Sequence, residues 1–471
     1  MQIKKNYILI TILLLIFLLI LSPRIDNPYP THIDEWHHIT ESIKLNYQLP
    51  SGITAAKAGF HYVLLILGSL TNLILIYKFL PAIWITLTAI LLFFLIKYKT
   101  KNYSIALLTI IFFASIKSNA NLTGLWFFTP LTFSIPFIYL YIYLFSKGIQ
   151  EQNKKLIIYS LAIMIFLIPI HSISVLFAIP LLTIYLLSNT KYLKKEYKFF
   201  LIFLLIPIIG IIFYMQIMHL KFIPAIEDIL SQLQFKHGWG ILEKNNSPFE
   251  LYSPIGYLLS LIGFFYLTKN KKNLKKYLIY ILWPITVLIS IFIFKQTGTS
   301  YLSPYQRNLY YFALSLPFLS AVGTISLMQL IKRKLKDKNI FKIISIILII
   351  IIITFTFYSY YSIPNQIKLY KTIDKNNYEA ISFLSTQPIK NKVISTPEIS
   401  TAIYPISKHQ PLATLYFYGN RNILDKFFET NDCNIKNQII DENKISYILS
   451  ENPIDCNWEI IYNKKNFIYK V

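Results

Sequence analysis

"FHYVLLILGSLTNLILIYKFLPAIWITLTAILLFFLI" fills residues 60–96, and how this run is divided sets the topology of everything after it. It contains two apolar stretches, 60–77 and 79–96, each close to the length that spans a bilayer. Similar runs recur along the 471 residues, which are 55% hydrophobic and only 14% charged, with 35 Tyr and 35 Phe. That composition reads as a polytopic α-helical membrane protein. The net charge of +24 invites a nucleic-acid partner, but its distribution excludes one. The lysines cluster in short loops at 97–101, 147–155, 191–198, 269–276 and 332–342, the pattern of cytoplasmic loops.

The first apolar run, 7–21, follows Lys4 and Lys5 and is followed by Ser22, Pro23 and Arg24 rather than by a small-residue cleavage pattern. We read it as a retained span that starts in the cytoplasm and delivers residues 22–59 to the outside. If all five basic loops are cytoplasmic, an odd number of crossings separates that outer loop from Lys97. Counting both 60–77 and 79–96 as spans would turn every later basic loop outward. The economical reading makes 60–77 a helix that dips into or lies along the outer leaflet, which is allowed where protein covers its polar groups.

The spans are then 7–21, 79–96, 103–116, 125–145, 156–170, 172–187, 199–218, 253–268, 277–294, 309–330 and 340–360, eleven in all. Outer loops fall at 22–59, 117–124, 219–252 and 295–308. Residues 1–361 form the membrane domain and 362–471 a soluble outer domain. In that tail "YEAISFLS" and "RNILDKFFE" read as helices, and "KVIST" and "ISYIL" as strands. "WEIIYNKKNFIYKV" reads as a closing hairpin, so the tail is an extracytoplasmic α/β domain. Both cysteines, Cys433 and Cys456, lie in it, where either a disulfide or two free thiols fits.

The first outer loop carries the densest ionisable chemistry, "PYPTHIDEWHHITESIKL" at 28–45. Pro30, Thr31 and Asp34 resemble a capped helix start with Asp34 at the third helical position. Ile33, Trp36, Thr40, Ile43 and Tyr47 recur at spacings of three and four, which predicts an apolar face on the membrane surface. Asp34, His37, His38 and Glu41 fall opposite, and Glu35 pairs best with His38. Three readings stand together here. Asp34 is a cap beside solvated histidines, or Asp34 and His38 are metal ligands one turn apart, or Asp34 is a general base.

An outer loop with "DE" directly after the first span resembles the GT-C superfamily of membrane glycosyltransferases, which includes protein O-mannosyltransferases, aminoarabinose transferases and oligosaccharyltransferases. "AGFHYVLLILGSL" resembles that family's apolar helix after the first loop, and "YKFLPAIWITLTAILLFFLI" its next span. "PYQRNLYYFALSLPFLSAVG" resembles a late outer loop entering a span, where an arginine is common. Family members often carry a second acid in the next outer loop, but "KSNANLTG" at 117–124 has none, leaving Asn119 and Asn121. The tail has no WWD-type motif, which favours transfer of a single sugar over transfer of a whole glycan.

The resemblance implies a hexosyltransferase taking sugar from a polyprenyl-phosphate donor at the outer membrane face, usually with inversion. The acceptor is a protein, lipid or glycan, and a divalent cation is an optional cofactor. It implies that Asp34 removes the acceptor proton and Glu35 shapes the site. Arg307 is the phosphate candidate, with Lys57 and His61 second and His171 third, while His37 and His38 line the same strip. Tyr305, Trp36, Trp126 and Trp239 are stacking or interfacial aromatics. The competing class is a transporter or flippase of a lipid-linked substrate, which would place ionisable groups near the bilayer midplane.

Overall fold

The computed structural model describes residues 2–45, 58–118, 124–201, 212, 215–216, 219–236, 251–335, 338–358, 372–388, 392–415 and 418–471. The chain opens with α1 (Gln2–Leu21), a 3-10 turn at Ser22–Arg24, and α2 (Ile33–Leu45). After α3 (Ala58–Leu70) and the single turn α4 (Leu73–Ile76) come α5 (Leu80–Thr100), α6 (Tyr103–Ala114), α7 (Pro130–Gln150) and α8 (Lys154–His171). Next are α9 (Ile173–Leu176), α10 (Ala178–Leu187), α11 (Thr190–Lys195) and α12 (Phe222–Gln232), which leads into β1 (Gln234–Lys236). Then α13 (Pro254–Lys269), α14 (Lys271–Thr297), β2 (Thr299–Tyr301), α15 (Tyr305–Lys334) and α16 (Lys338–Tyr358) complete the helical part.

Seven helices among the described residues, α1, α5, α7, α8, α14, α15 and α16, are long and apolar enough to cross a membrane. Three of the eleven expected spans fall instead on shorter apolar helices: 103–116 on α6, 172–187 on α9 and α10, and 253–268 on α13. At 1.5 Å per residue the 12 residues of α6 reach only about 18 Å, short of a hydrocarbon core. Most of 199–218 lies outside the described residues.

The division of 60–96 is visible in how α1 and α5 meet. Lys78, just before α5, donates to the Ile25 carbonyl at 3.2 Å, while the Tyr103 hydroxyl, just after α5, donates to the Lys5 carbonyl. The two helices therefore run antiparallel, and α2, α3 and α4 leave and rejoin the bundle at one end. The break between α3 and α4 comes at Asn72, whose side chain accepts from the amides of Ile74 and Leu75 at 3.1 and 3.3 Å. Elsewhere the closest helix crossing, α13 on α15, depends on two glycines. A Cβ at Gly263 would lie 2.0 Å from the Leu319 carbonyl oxygen, and one at Gly323 1.9 Å from that of Leu259.

Residues 372–471 build a small α/β unit from α17 (Lys375–Leu384), β3 (Lys392–Ile394), α18 (Pro397–Ser407), α19 (Arg421–Glu429), α20 (Cys433–Asn443), β4 (Ile445–Ser450), β5 (Glu459–Asn463) and β6 (Phe467–Lys470). The sheet order is β3-β4-β6-β5, with β3 parallel to β4 and the other pairs antiparallel. The two helices, two strands and hairpin expected from the sequence are present, and α18 and α20 are added between β3 and β4, as a parallel pair requires. Cys433 and Cys456 form a disulfide with their Cα atoms 5.8 Å apart.

This unit does not hang free. One hydrophobic core runs from Trp36, Ile39, Phe60 and Tyr77 into Ile381, Val393, Ile403 and Tyr447. Tyr29 stacks on Tyr378 with centroids 4.4 Å apart, and the Thr372 hydroxyl donates to the Thr31 carbonyl at 3.0 Å. The segment leading into α2 is thus gripped from the sheet side.

Candidate active site

Helix α2 begins differently from its sequence reading. His32, not Thr31, is the cap: the amides of Glu35 and Trp36 donate to its carbonyl at 3.0 and 3.3 Å, and the Asp34 amide donates to its Nδ1 at 3.0 Å. The acid at the third helical position is therefore Glu35. Its Oε2 reaches back to accept from the amides of Thr31 and His32, at 3.0 and 3.3 Å. The two residues together satisfy the orphan donors of the first turn, which leaves the Asp34 carboxylate out of the cap.

Glu35 has further ties. Its Oε1 accepts from Arg24 Nη2 at 2.6 Å and from the Phe128 amide at 2.9 Å. Arg24 in turn donates from Nε and Nη2 to the Trp126 carbonyl, at 3.2 and 2.8 Å. Both side chains are at most 1% exposed, so this is a desolvated ion pair; Glu35 has its hydrogen bonds in place, while Nη1 of Arg24 is buried with no hydrogen-bond partner among the described residues. Tyr77 adds a hydrogen bond to the Phe128 carbonyl at 2.6 Å. Burial first, and the nearby Glu35 carboxylate second, push its phenol well above the ordinary range, so it remains a proton donor. Glu35, Arg24 and Tyr77 pin α2 to the loop before α7. The expected Glu35–His38 pairing is replaced by Glu35–Arg24.

Asp34 is the open acid. Its side chain keeps 29% of its surface, with His32 Nδ1 3.7 Å from Oδ2. Its charge acts on Arg307, in the first turn of α15, together with Tyr310 and Tyr311 one turn further on. Tyr311 connects through the Ser174 hydroxyl, at 3.1 Å, to Nδ1 of His171, at 2.7 Å. Asp34, Arg307 and His171, picked from three distant stretches of sequence, thus belong to one polar region at one end of the bundle. Arg307 is held there by its neighbour Asn308, whose Nδ2 donates to the hydroxyls of Ser290 and Ser300 at 2.8 and 2.9 Å. The antiparallel pairing of β1 with β2 fastens the preceding loop.

The remaining candidates divide. His38 is buried, with Nδ1 3.0 Å from Nε2 of the buried His61. The buried stripe of α2 is Glu35, Trp36, His38, Ile39 and Ser42, rotated from the face expected of a helix on a membrane. The reason is that α2 packs against protein on two sides, α3 and α18, rather than against lipid on one. His37 stays half-exposed and lines a cleft of about 260 Å³ with Glu41, Lys44, Tyr404 and Tyr418. Tyr305 is buried and stacks on Phe294 at 4.3 Å, and Trp36 and Trp126 are core residues. Lys57, Asn119, Asn121 and Trp239 lie outside the described residues.

Among the described residues no three His, Cys, Asp or Glu side chains converge, and His38 is turned to His61 rather than to Asp34. The described residues by themselves do not make a protein-held cation site.

Sequence reasoning missed Arg24, Tyr77, His32 and Tyr311. One signal was available for the first. The chain has four arginines among 46 basic residues, and two of the four, Arg24 and Arg307, stand beside this site. A chain that otherwise uses lysine places arginine where a planar, permanently charged fork is needed.

No known family profile and no curated protein matches the sequence. Solved structures do. The Archaeoglobus fulgidus oligosaccharyltransferase tethered to an acceptor peptide with the NVT sequon matches at 13% identity and a TM-score of 0.55, over 96% of this chain and 70% of that one. Its complex with Zn and sulfate matches at 12% identity and 0.57, over 93% and 68%. The same enzyme, AglB, with an inhibitory peptide and a dolichol-phosphate matches at 12% and 0.50, over 95% and 70%. The chain therefore shares the fold of these structures, mostly helical with several long apolar helices and a small sheet region. The likeness to this archaeal oligosaccharyltransferase runs along nearly the whole of this chain.

Proposed function

We propose that this protein is a glycosyltransferase of the outer membrane face that passes a sugar from a polyprenyl-phosphate donor to an acceptor hydroxyl with inversion. The observation that carries the reading is the division between two adjacent acids. Glu35 is consumed by four hydrogen bonds, while Asp34 stays open within the field of Arg307. A partly exposed carboxylate left out of the cap, with an arginine in the same polar region, suits a reaction that removes a proton on one side of a carbon and releases phosphate on the other.

In this mechanism Asp34 accepts the acceptor's hydroxyl proton as that oxygen bonds to the anomeric carbon. The bond from that carbon to the phosphate oxygen breaks on the opposite face, which inverts the centre. The electron pair leaves with the polyprenyl phosphate, whose growing charge Arg307 offsets. Glu35 and Arg24 hold α2 in place and transfer no proton. Support comes from the fold shared with enzymes solved with a dolichol-phosphate and with an acceptor peptide. The same reading makes 1–361 the membrane domain with a cytoplasmic N-terminus and 362–471 an outer domain, since the sheet unit packs at the Asp34 end and the lysines gather at the other.

The test uses wild type and Asp34→Asn in lipid, each offered a panel of radiolabelled polyprenyl-phosphate sugars and a cell-envelope extract. Donor consumption by wild type, with a loss of about 10²–10⁴-fold in kcat but retained donor binding in Asp34→Asn, supports the reading. Equal turnover by both proteins overturns it, and vectorial movement of donor without transfer would point to a flippase. Mass analysis of the product separates single-sugar from whole-glycan transfer.

A further inference from the structure

The opposite end of the bundle holds a cavity of about 690 Å³ that the reaction above does not use. Its walls come from four helices: Lys5 from the start of α1, Lys97 and Tyr98 from the end of α5, Tyr103 from the start of α6, and Tyr143 and Lys147 from the end of α7, with Lys101 in the turn between α5 and α6. The lysines converge on the tyrosines. Lys101 Nζ lies 4.2 Å and Lys147 Nζ 4.3 Å from the centroid of the same Tyr98 ring, so the two ammonium groups are no more than about 8.5 Å apart. Lys5 Nζ lies 5.6 Å from the Tyr103 centroid. Among the described residues Lys5, Lys97 and Lys101 pair with no carboxylate, and Lys147 has only Glu151, at 3.9 Å.

Four ammonium groups on one cavity repel one another, and aromatic rings offset that only in part. We propose that this pocket binds a phosphate group, held by Lys5, Lys97, Lys101 and Lys147. The phosphate is carried by the headgroup of an anionic lipid or by a soluble phosphate ester. Basic pockets between membrane helices suit such headgroups. Phe94, 53% exposed on the same wall, adds an apolar flank along which an acyl chain can lie. The site is distinct from the Asp34 region, because α1, α5 and α7 each have one end at either place, and it does not depend on the proposed transfer reaction.

The test places full-length protein in nanodiscs of equal phosphatidylcholine and phosphatidylglycerol and counts retained lipids by native mass spectrometry. A second arm titrates inorganic phosphate by calorimetry into protein in phosphatidylcholine alone. Wild type should retain phosphatidylglycerol over phosphatidylcholine. Lys101→Ala/Lys147→Ala should lose that preference by about five-fold per lysine removed, with Lys101→Arg/Lys147→Arg keeping it. Binding of inorganic phosphate without lipid preference, lost in the alanine variant, keeps the phosphate site and assigns it to a soluble source. A lipid preference or phosphate binding that the alanine variant keeps undiminished, or no preference and no phosphate binding by wild type, overturns the proposal. Unchanged thermal midpoints in phosphatidylcholine confirm that the variants are folded. The single substitution Lys101→Gln repeats the measurement if the double variant melts early.

Discussion

At the Asp34 end of the bundle the charged groups are buried and mostly committed, whereas at the lysine end they are solvated and crowd one another. Arg24 and Glu35 are fully enclosed and bonded to each other, so their worth lies in the position they impose on α2. Lys97, Lys101 and Lys147 surround open space, so their worth lies in what enters it. The contrast teaches that charge fixed in a low-dielectric site organises chemistry, while charge left in water organises binding.

Breaking the first half of the contrast should cost most at the open acid, where Asp34→Asn is expected to lower kcat by about 10²–10⁴-fold without loss of fold. Next comes its neighbour. Glu35→Ala strands a buried guanidinium and should destabilise the protein by about 3–5 kcal/mol, read as the unfolding midpoint in nanodiscs. The double change Arg24→Met/Glu35→Leu should recover only part of that loss, since it removes the stranded guanidinium but leaves the amides of Thr31, His32 and Phe128 without their acceptor. Arg307→Gln should reduce kcat by about 10²–10³-fold in the transferase assay, with Arg307→Lys falling between it and wild type. Within the sheet unit, Cys433→Ser should cost about 2–4 kcal/mol, because the bridge closes a loop of sequence separation 23. That loss should be confined to the sheet unit and be reproduced by reductant. The smallest effect is the five-fold change in lipid preference per lysine at the other end.

Much of the fold was legible because its signals are local. Apolar run length marked the long helices, and charge bookkeeping alone set 60–77 aside from the spans. The structure agrees in bringing α3 and α4 back to the end they left. Alternation and turn residues gave the hairpin of β5 and β6. The span count was less legible, since an apolar helix of 12 residues and one of 21 read alike when protein, not lipid, buries the ends. Helix α18 has no place in the sequence reading; it carries Pro397 in its first turn and Pro405 near its last, residues that weaken a helical signal without preventing the helix.

The site was legible as a location and not as an arrangement. "DE" after the first span marked the place, but adjacency gave no means of telling which acid is spent on the backbone. That depended on Arg24, eleven residues earlier, and on the Phe128 amide, ninety-three residues later, both arriving through the packing of α1 and α7. The sequence by itself determined which segments are apolar, where lysine gathers, and that carboxylates and histidines follow the first span, because each is a property of neighbours along the chain. Only the tertiary structure decided that Glu35 is enclosed and Asp34 open, that His38 turns to His61, and that Arg307 and His171 join Asp34. Those outcomes turn on desolvation, which depends on which distant backbone closes over a side chain.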